Sequence, residues 1–205
     1  MEAQVARQRL PRAEREEQLL SVAHQVFSER GFRAPSMDEI ALRAGVSKPI
    51  LYDHFGSKDG LVAASIRRAG VELFADIAAA VQETTDPRAT LEAGFTAFFE
   101  YIESRGQGWF MLIGENSLVG PAADELESIR RQEAAFVADR LVMEMPDRTR
   151  DDVETFAEAI IGACERIALW RRERPGTTVA AATSSLMTLV WSGLSSLVDG
   201  VAPPA

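Results

Sequence analysis

Apolar residues recur along this chain at the three- and four-residue intervals that line one face of an α-helix. Leu19, Leu20, Ala23, Val26 and Phe27 fall at i, i+3, i+4 and i+7, which predicts an amphipathic first helix that Gly31 ends, with Phe32 tucked into the same small core. Leu61, Val62, Ile66, Leu73, Phe74 and Ile77 predict a long helix running to about Val81, opened by Ser57 as its cap. After a break at residues 83–87, where Asp86 is the N-cap and Pro87 the first helical residue, Leu91, Phe95, Phe98, Phe99 and Ile102 form a wide aromatic face. Gly106 and Gly108 interrupt, a short apolar segment covers Trp109–Ile113, and Gly114 to Pro121 reads as a loop. A helix over about 122–145 turns Leu126, Ile129, Phe136 and Val137 inward and leaves Asp124, Glu125, Arg130, Arg131 and Arg140 to water, with Pro146 stopping it. The pattern predicts an all-α protein.

Between the first and the long helix, the stretch from Ser36 to Phe55 has a tighter punctuation. Ser36 with Glu39 three residues on is a capping box, Gly45 allows the positive φ that closes a short helix, and Ser47 can cap the next, with Pro49 in its first turn. Leu51 and Phe55, four apart, point inward, which leaves Lys48, Pro49 and Tyr52 on the outer flank. Two helices about a glycine-bearing turn form the geometry that seats a second helix in the DNA major groove, although an ordinary pair of capped helices fits the pattern too. Lys48 can reach a base edge or phosphate, Tyr52 and His54 can donate to phosphate oxygens, and Ser36 offers a hydroxyl beside a helix N-terminus that favours anions.

Three pieces at their mutual spacing, LLSVAHQVFSERGF at 19–32, SMDEIALRAGVSKPILYDHF at 36–55 and SKDGL at 57–61, resemble the N-terminal domain of the TetR/AcrR family of transcriptional regulators. The resemblance spans about Glu14 to Leu61 and implies an N-terminal three-helix helix-turn-helix DNA-binding domain at 14–60. A long helix would link it to a C-terminal helical ligand-binding and dimerisation domain at 61–205. It places Ser36, Met37, Arg43, Ser47, Lys48, Pro49, Tyr52, His54 and Lys58 against DNA. Lys58 is a cation at a helix start, where the dipole disfavours it, so a nearby phosphate is its expected partner. Residues 1–13, with Arg7, Arg9, Arg12 and Pro11, read as a flexible basic arm that adds phosphate or minor-groove contacts or is simply solvated.

The net charge of −9 over 205 residues suits this reading only once it is divided along the chain. Residues 1–60 hold nine Lys/Arg and nine Asp/Glu, so the excess acidity lies wholly in the thirteen Lys/Arg and twenty-two Asp/Glu that follow. Phosphate neutralisation depends on local clusters rather than on the total. At 46% apolar residues the chain can build its core without staples, and the single Cys164 excludes an internal disulfide. Neither a signal peptide nor a twenty-residue apolar span stands out, so a cytoplasmic location and no membrane partner are expected.

The last two helices, about 150–173 and 177–198, are apolar on more than one side. Val153, Phe156, Ile160, Cys164 and Ile167 line one face, Ile161 and Ala168 mark a second, and Leu186, Leu189, Val190, Gly193, Leu194 and Leu197 follow. The resemblance makes them half of an intersubunit four-helix bundle; burial within one large subunit core is the alternative. Seven of ten Phe and all three Trp follow residue 60, enough to line a cavity for a small hydrophobic or aromatic effector. Its candidate walls are Phe95, Phe98, Phe99, Trp109, Phe110, Met111, Phe136, Phe156 and Trp170, with Glu115 and Asn116 as polar groups. An aromatic stripe at helical spacing also serves as plain core. Nothing resembles a phosphate loop or nucleophile elbow, both His fall in the first domain, and no enzyme activity, metal or cofactor is expected. The expected function is a ligand-responsive regulator, by default a repressor, that binds a palindromic double-stranded operator as a homodimer. A helical protein-interaction module without DNA binding is the alternative.

Overall fold

The computed structural model describes residues 10–105 and 118–198, with side chains described as far as residue 194. Among them are eight helices and no strand. The chain divides into two compact units, Met1–Ser65 and Ile66–Ala205. The division falls inside the long helix, and Leu61, Val62 and Ala63 of the first unit are buried.

The first unit comprises α1 (Arg12–Arg30), α2 (Met37–Ala44), α3 (Lys48–Phe55) and the start of α4 (Lys58–Gln82). Leu19, Ala23, Val26 and Phe27 of α1 are buried with Ile40, Leu51 and Leu61, and the ring of Phe32 meets that of Phe27 at 4.9 Å. Each such side chain contributes about 1.5–3 kcal/mol by leaving water, so this small core sets how the short α2 and α3 are held. Helix α1 begins two residues inside the expected arm. The Arg15 N–H donates to the Pro11 carbonyl at 2.9 Å, and the Arg12 guanidinium lies 3.4 Å from the Asp53 carboxylate, which ties the helix start to α3. The arm itself, residues 1–9, lies outside the described residues.

The turn chemistry explains why α2 and α3 are short. Ser36 Oγ accepts the Glu39 N–H at 3.2 Å, whereas the Glu39 carboxylate pairs with Arg30 at 2.5 Å instead of completing the expected box. Gly45 takes φ 65°, and the Val46 N–H then reaches back to the Ala41 carbonyl at 3.0 Å, closing α2. Ser47 occupies the cap position of α3 on extended backbone but its hydroxyl makes no cap bond. At the start of α4, Ser57 Oγ accepts the Gly60 N–H at 3.0 Å. A Cβ on Gly60 would collide with the Phe55 carbonyl oxygen, so this position needs glycine to let α4 turn away from α3.

The second unit contains the rest of α4, α5 (Pro87–Arg105), α6 (Pro121–Glu144), α7 (Arg150–Arg172) and α8 (Val179–Val198). Asp86 caps α5 through a 2.8 Å bond from the Ala89 N–H. A reciprocal Thr149–Asp152 capping box opens α7. Helix α6 packs on α7 around Ala134, Ala138, Val153 and Ala157, and α5 packs chiefly on α8. Two expectations for exposed charges are corrected. Arg67 holds Glu125 and Arg130 holds Glu165, each by two guanidinium bonds, so Glu125 and Arg130 join helices rather than facing water freely. The second apolar face expected on α7 also turns inward: Ala168 is fully buried and Ile161 lines a cavity. On α8, by contrast, Leu189 is 73% exposed. Sequence reasoning passed over Arg171, which is buried, donates to the Thr177 carbonyl at 3.1 Å and stands 5.6 Å over the Phe99 ring.

Candidate nucleic-acid interface

The outer face of α3 is built by elimination: Leu51 is drawn fully into the core, which rotates Lys48, Pro49 and Tyr52 outward. Tyr52 keeps 41% of its surface, and the Lys48 ammonium sits 6.0 Å over its ring. Lys48 Nζ also donates to Asp38 at 2.8 Å, and that carboxylate holds the ammonium charged beyond its ordinary range. Both groups are solvent-facing, so this pair is worth little in water and can be exchanged for a phosphate or a base edge. Ser36, Arg43 and Ser47 are exposed around it, with Arg43 paired to Glu29 at 2.6 Å.

Three of the expected DNA contacts are buried or bonded within the first unit. Met37 is 5% exposed and belongs to the core, because the first residue of α2 faces α1. The His54 side chain is 6% exposed, its Nδ1 lies 3.8 Å from the Glu16 carboxylate, and no hydrogen bond reaches that atom. Its ring packs beside that of Phe55 at 5.9 Å. Lys58 has a partner within the protein: Nζ donates to the Arg33 carbonyl at 2.7 Å.

The second unit holds a cavity of ≈ 380 Å³. Phe95, Phe98 and Phe136 line it as expected, joined by Phe74, Ile160, Cys164 and Trp191. Phe99, Phe156 and Trp170 do not. Phe99 is fully buried between Phe98 and Arg171, Phe156 lies one turn before the first α7 residue on the wall, and Trp170 is 42% exposed beneath the Arg174 guanidinium. Trp109, Phe110, Met111, Glu115 and Asn116 lie outside the described residues. The polar wall residue that sequence reasoning missed is Glu133, 7% exposed, with Oε1 unpaired. Burial, reinforced by the Glu165 charge and opposed by Arg130, pushes its carboxyl up to about 8. The signal was present: Glu133 falls on the Ile129–Phe136–Val137 stripe, where an acid interrupts an otherwise apolar face. Burial likewise pushes the Cys164 thiol well up, so it is a packed and unreactive wall group. No described helix is long and apolar enough to cross a membrane.

Comparison with known proteins bears on both units. The family model described as bacterial regulatory proteins, tetR family, matches residues 19–65, and that described as tetracyclin repressor-like, C-terminal domain, matches residues 87–193. The transcriptional activator FasR of Mycolicibacterium smegmatis is 50% identical over 111 residues, 54% of this chain and 50% of that protein. The transcriptional repressor KstR2 of Rhodococcus jostii is 39% identical over 90 residues, 44% of each. This chain thus spans about half the length of these curated relatives. The crystal structure of a TetR-like transcriptional regulator from Rhodococcus sp. RHA1 is 35% identical, with a TM-score of 0.69 over 91% of this chain and 99% of that one.

Proposed function

The chain belongs to the tetR family of bacterial regulatory proteins, and from that premise we propose that it is a ligand-responsive regulator of transcription that binds a palindromic operator as a homodimer. The observation that carries the reading is the outward face of α3, where Lys48, Pro49 and Tyr52 project from a helix whose only fully buried side chain is Leu51. A short, rigidly capped helix with a cationic and a hydroxyl-bearing side chain on its free flank suits entry into a major groove. Ser36 and Arg43 flank it as further phosphate contacts, and Lys58 contributes through its hold on the Arg33 backbone.

The dimer forms through α7 and α8. Leu189 is open on α8 among exposed Ser184, Ser185, Thr188 and Ser192, a flat face of short side chains that admits close helix approach. A two-fold pair places two copies of α3 on two half-sites, so any ligand that prefers one spacing of the heads changes operator affinity. The ≈ 380 Å³ cavity is of the size and lining that takes a small hydrophobic molecule, and it is the effector site in this reading.

Repression follows where a bound dimer covers a promoter. Activation is the second reading, favoured by the likeness to an activator, FasR, over 54% of the chain. Selection of duplexes from a random pool tests the proposal: the expected winners are inverted repeats bound by a dimer, with affinity that falls steeply as salt rises. Absence of salt-sensitive binding to any duplex would instead support a helical interaction module.

A further inference from the structure

We propose that Glu133 anchors the effector, and that the cavity therefore selects an apolar molecule carrying one N–H or O–H donor over an apolar carboxylate; this deepens the reading of the cavity as the effector site and rests on it. Glu133 lies on α6 and lines the cavity, and its buried Oε1 has no hydrogen-bond partner among the described residues. The same cavity is lined by Phe95, Phe98, Phe136, Ile160 and Cys164, so Oε1 is an unpaired acceptor on a largely apolar lining.

The neighbouring charges make the choice of head group. Arg130 is taken by Glu165 through two 2.9 Å bonds and lies 3.9 Å from Glu127, so it is committed away from Glu133. Glu165 places a negative charge near the carboxyl, which keeps Glu133 protonated and opposes an anion beside it. Two further charged residues, Arg140 and Glu144, lie on the wall; the Arg140 guanidinium sits 5.7 Å over the Phe136 ring. A ligand O–H or N–H can donate to Oε1 without displacing any existing bond. A neutral amine does so by taking the Glu133 proton, which leaves an ammonium paired with the carboxylate. Arg140 is the cation among the described wall residues, two turns along α6 from Glu133.

Calorimetric titration of the full chain, without DNA, with n-decylamine, n-decanol and decanoate tests this assignment. The amine and the alcohol should bind about tenfold or more tighter than decanoate. Glu133→Leu should weaken both by a similar factor and improve decanoate. Glu133→Gln, which keeps an acceptor in place, should retain the alcohol within about threefold and lose the amine. Equal binding of all three chains, or amine binding unchanged in Glu133→Leu, leaves a ligand cavity and overturns the role of Glu133. Tight decanoate binding lost in Arg140→Gln overturns it in favour of an acid head group. Failure of all three to bind overturns both the anchor and the effector site.

Discussion

Replacing Glu133 by Gln removes a buried carboxyl that makes the fold depend on pH in a sign opposite to most carboxylates. In the folded chain the carboxyl holds its proton up to about pH 8, because burial and the Glu165 charge outweigh Arg130. In the unfolded chain it releases the proton near its ordinary value of about 4.3. Between those limits the folded state binds more protons than the unfolded state, so stability falls as pH rises through the window. Each unit of difference is worth about 1.4 kcal/mol. From about pH 5 to about pH 7.5, the wild-type chain should lose on the order of 3 kcal/mol relative to Glu133→Gln, a large share of a typical folding free energy of about 5–15 kcal/mol. Urea titrations at stepped pH, read by tryptophan fluorescence, give this difference directly, since Trp109, Trp170 and Trp191 all lie in the second unit. Groups common to both chains cancel in the comparison. A difference that stays flat within about 0.5 kcal/mol across the window would refute the buried, proton-holding carboxyl.

Gly60→Ala should destabilise the first unit by roughly 2–3 kcal/mol although helix propensity alone favours alanine by about 1 kcal/mol, because the new methyl meets the Phe55 carbonyl; chemical denaturation gives the sign. Met37→Ala should cost about 2–4 kcal/mol of stability, as a core truncation does, while the folded protein keeps its operator affinity in a gel-shift titration. Lys58→Ala should lower the thermal midpoint even without DNA, with a loss of about 1–2 kcal/mol, because the Arg33 carbonyl loses a charged donor.

How far the sequence could be read is best judged from particular residues. Ser36, Gly45, Ser57 and Asp86 punctuate helices through short-range hydrogen bonds and φ angles, and these are local matters that the chain states in place. The apolar stripe of α1 was equally plain, since its spacing alone determines which side chains share a face. Met37 and His54 lie at helix ends, where a side chain can turn to either side, and the burial of both side chains is decided by packing rather than by spacing. The Arg33 carbonyl that accepts from Lys58 lies 25 residues away, a pairing that spacing along the chain does not announce. In the second unit, periodicity located the aromatic faces but not which of them surround space: Phe98 lines the cavity while its neighbour Phe99 is sealed in core. Glu133 was overlooked for a different reason. An acid on an apolar stripe is visible, but it gains meaning only once its surroundings are known.

The decisive measurement is the affinity of the full chain for its selected duplex over a range of salt, made on the wild type and on the Lys48→Ala/Tyr52→Phe pair of substitutions. Circular dichroism would show the two proteins equally folded. Both side chains face solvent, so the fold should be unmoved while affinity falls by about ten- to a hundredfold and the salt dependence becomes shallower by about one phosphate contact. Undiminished affinity in the folded double variant would contradict the assignment of α3 as the DNA-reading helix.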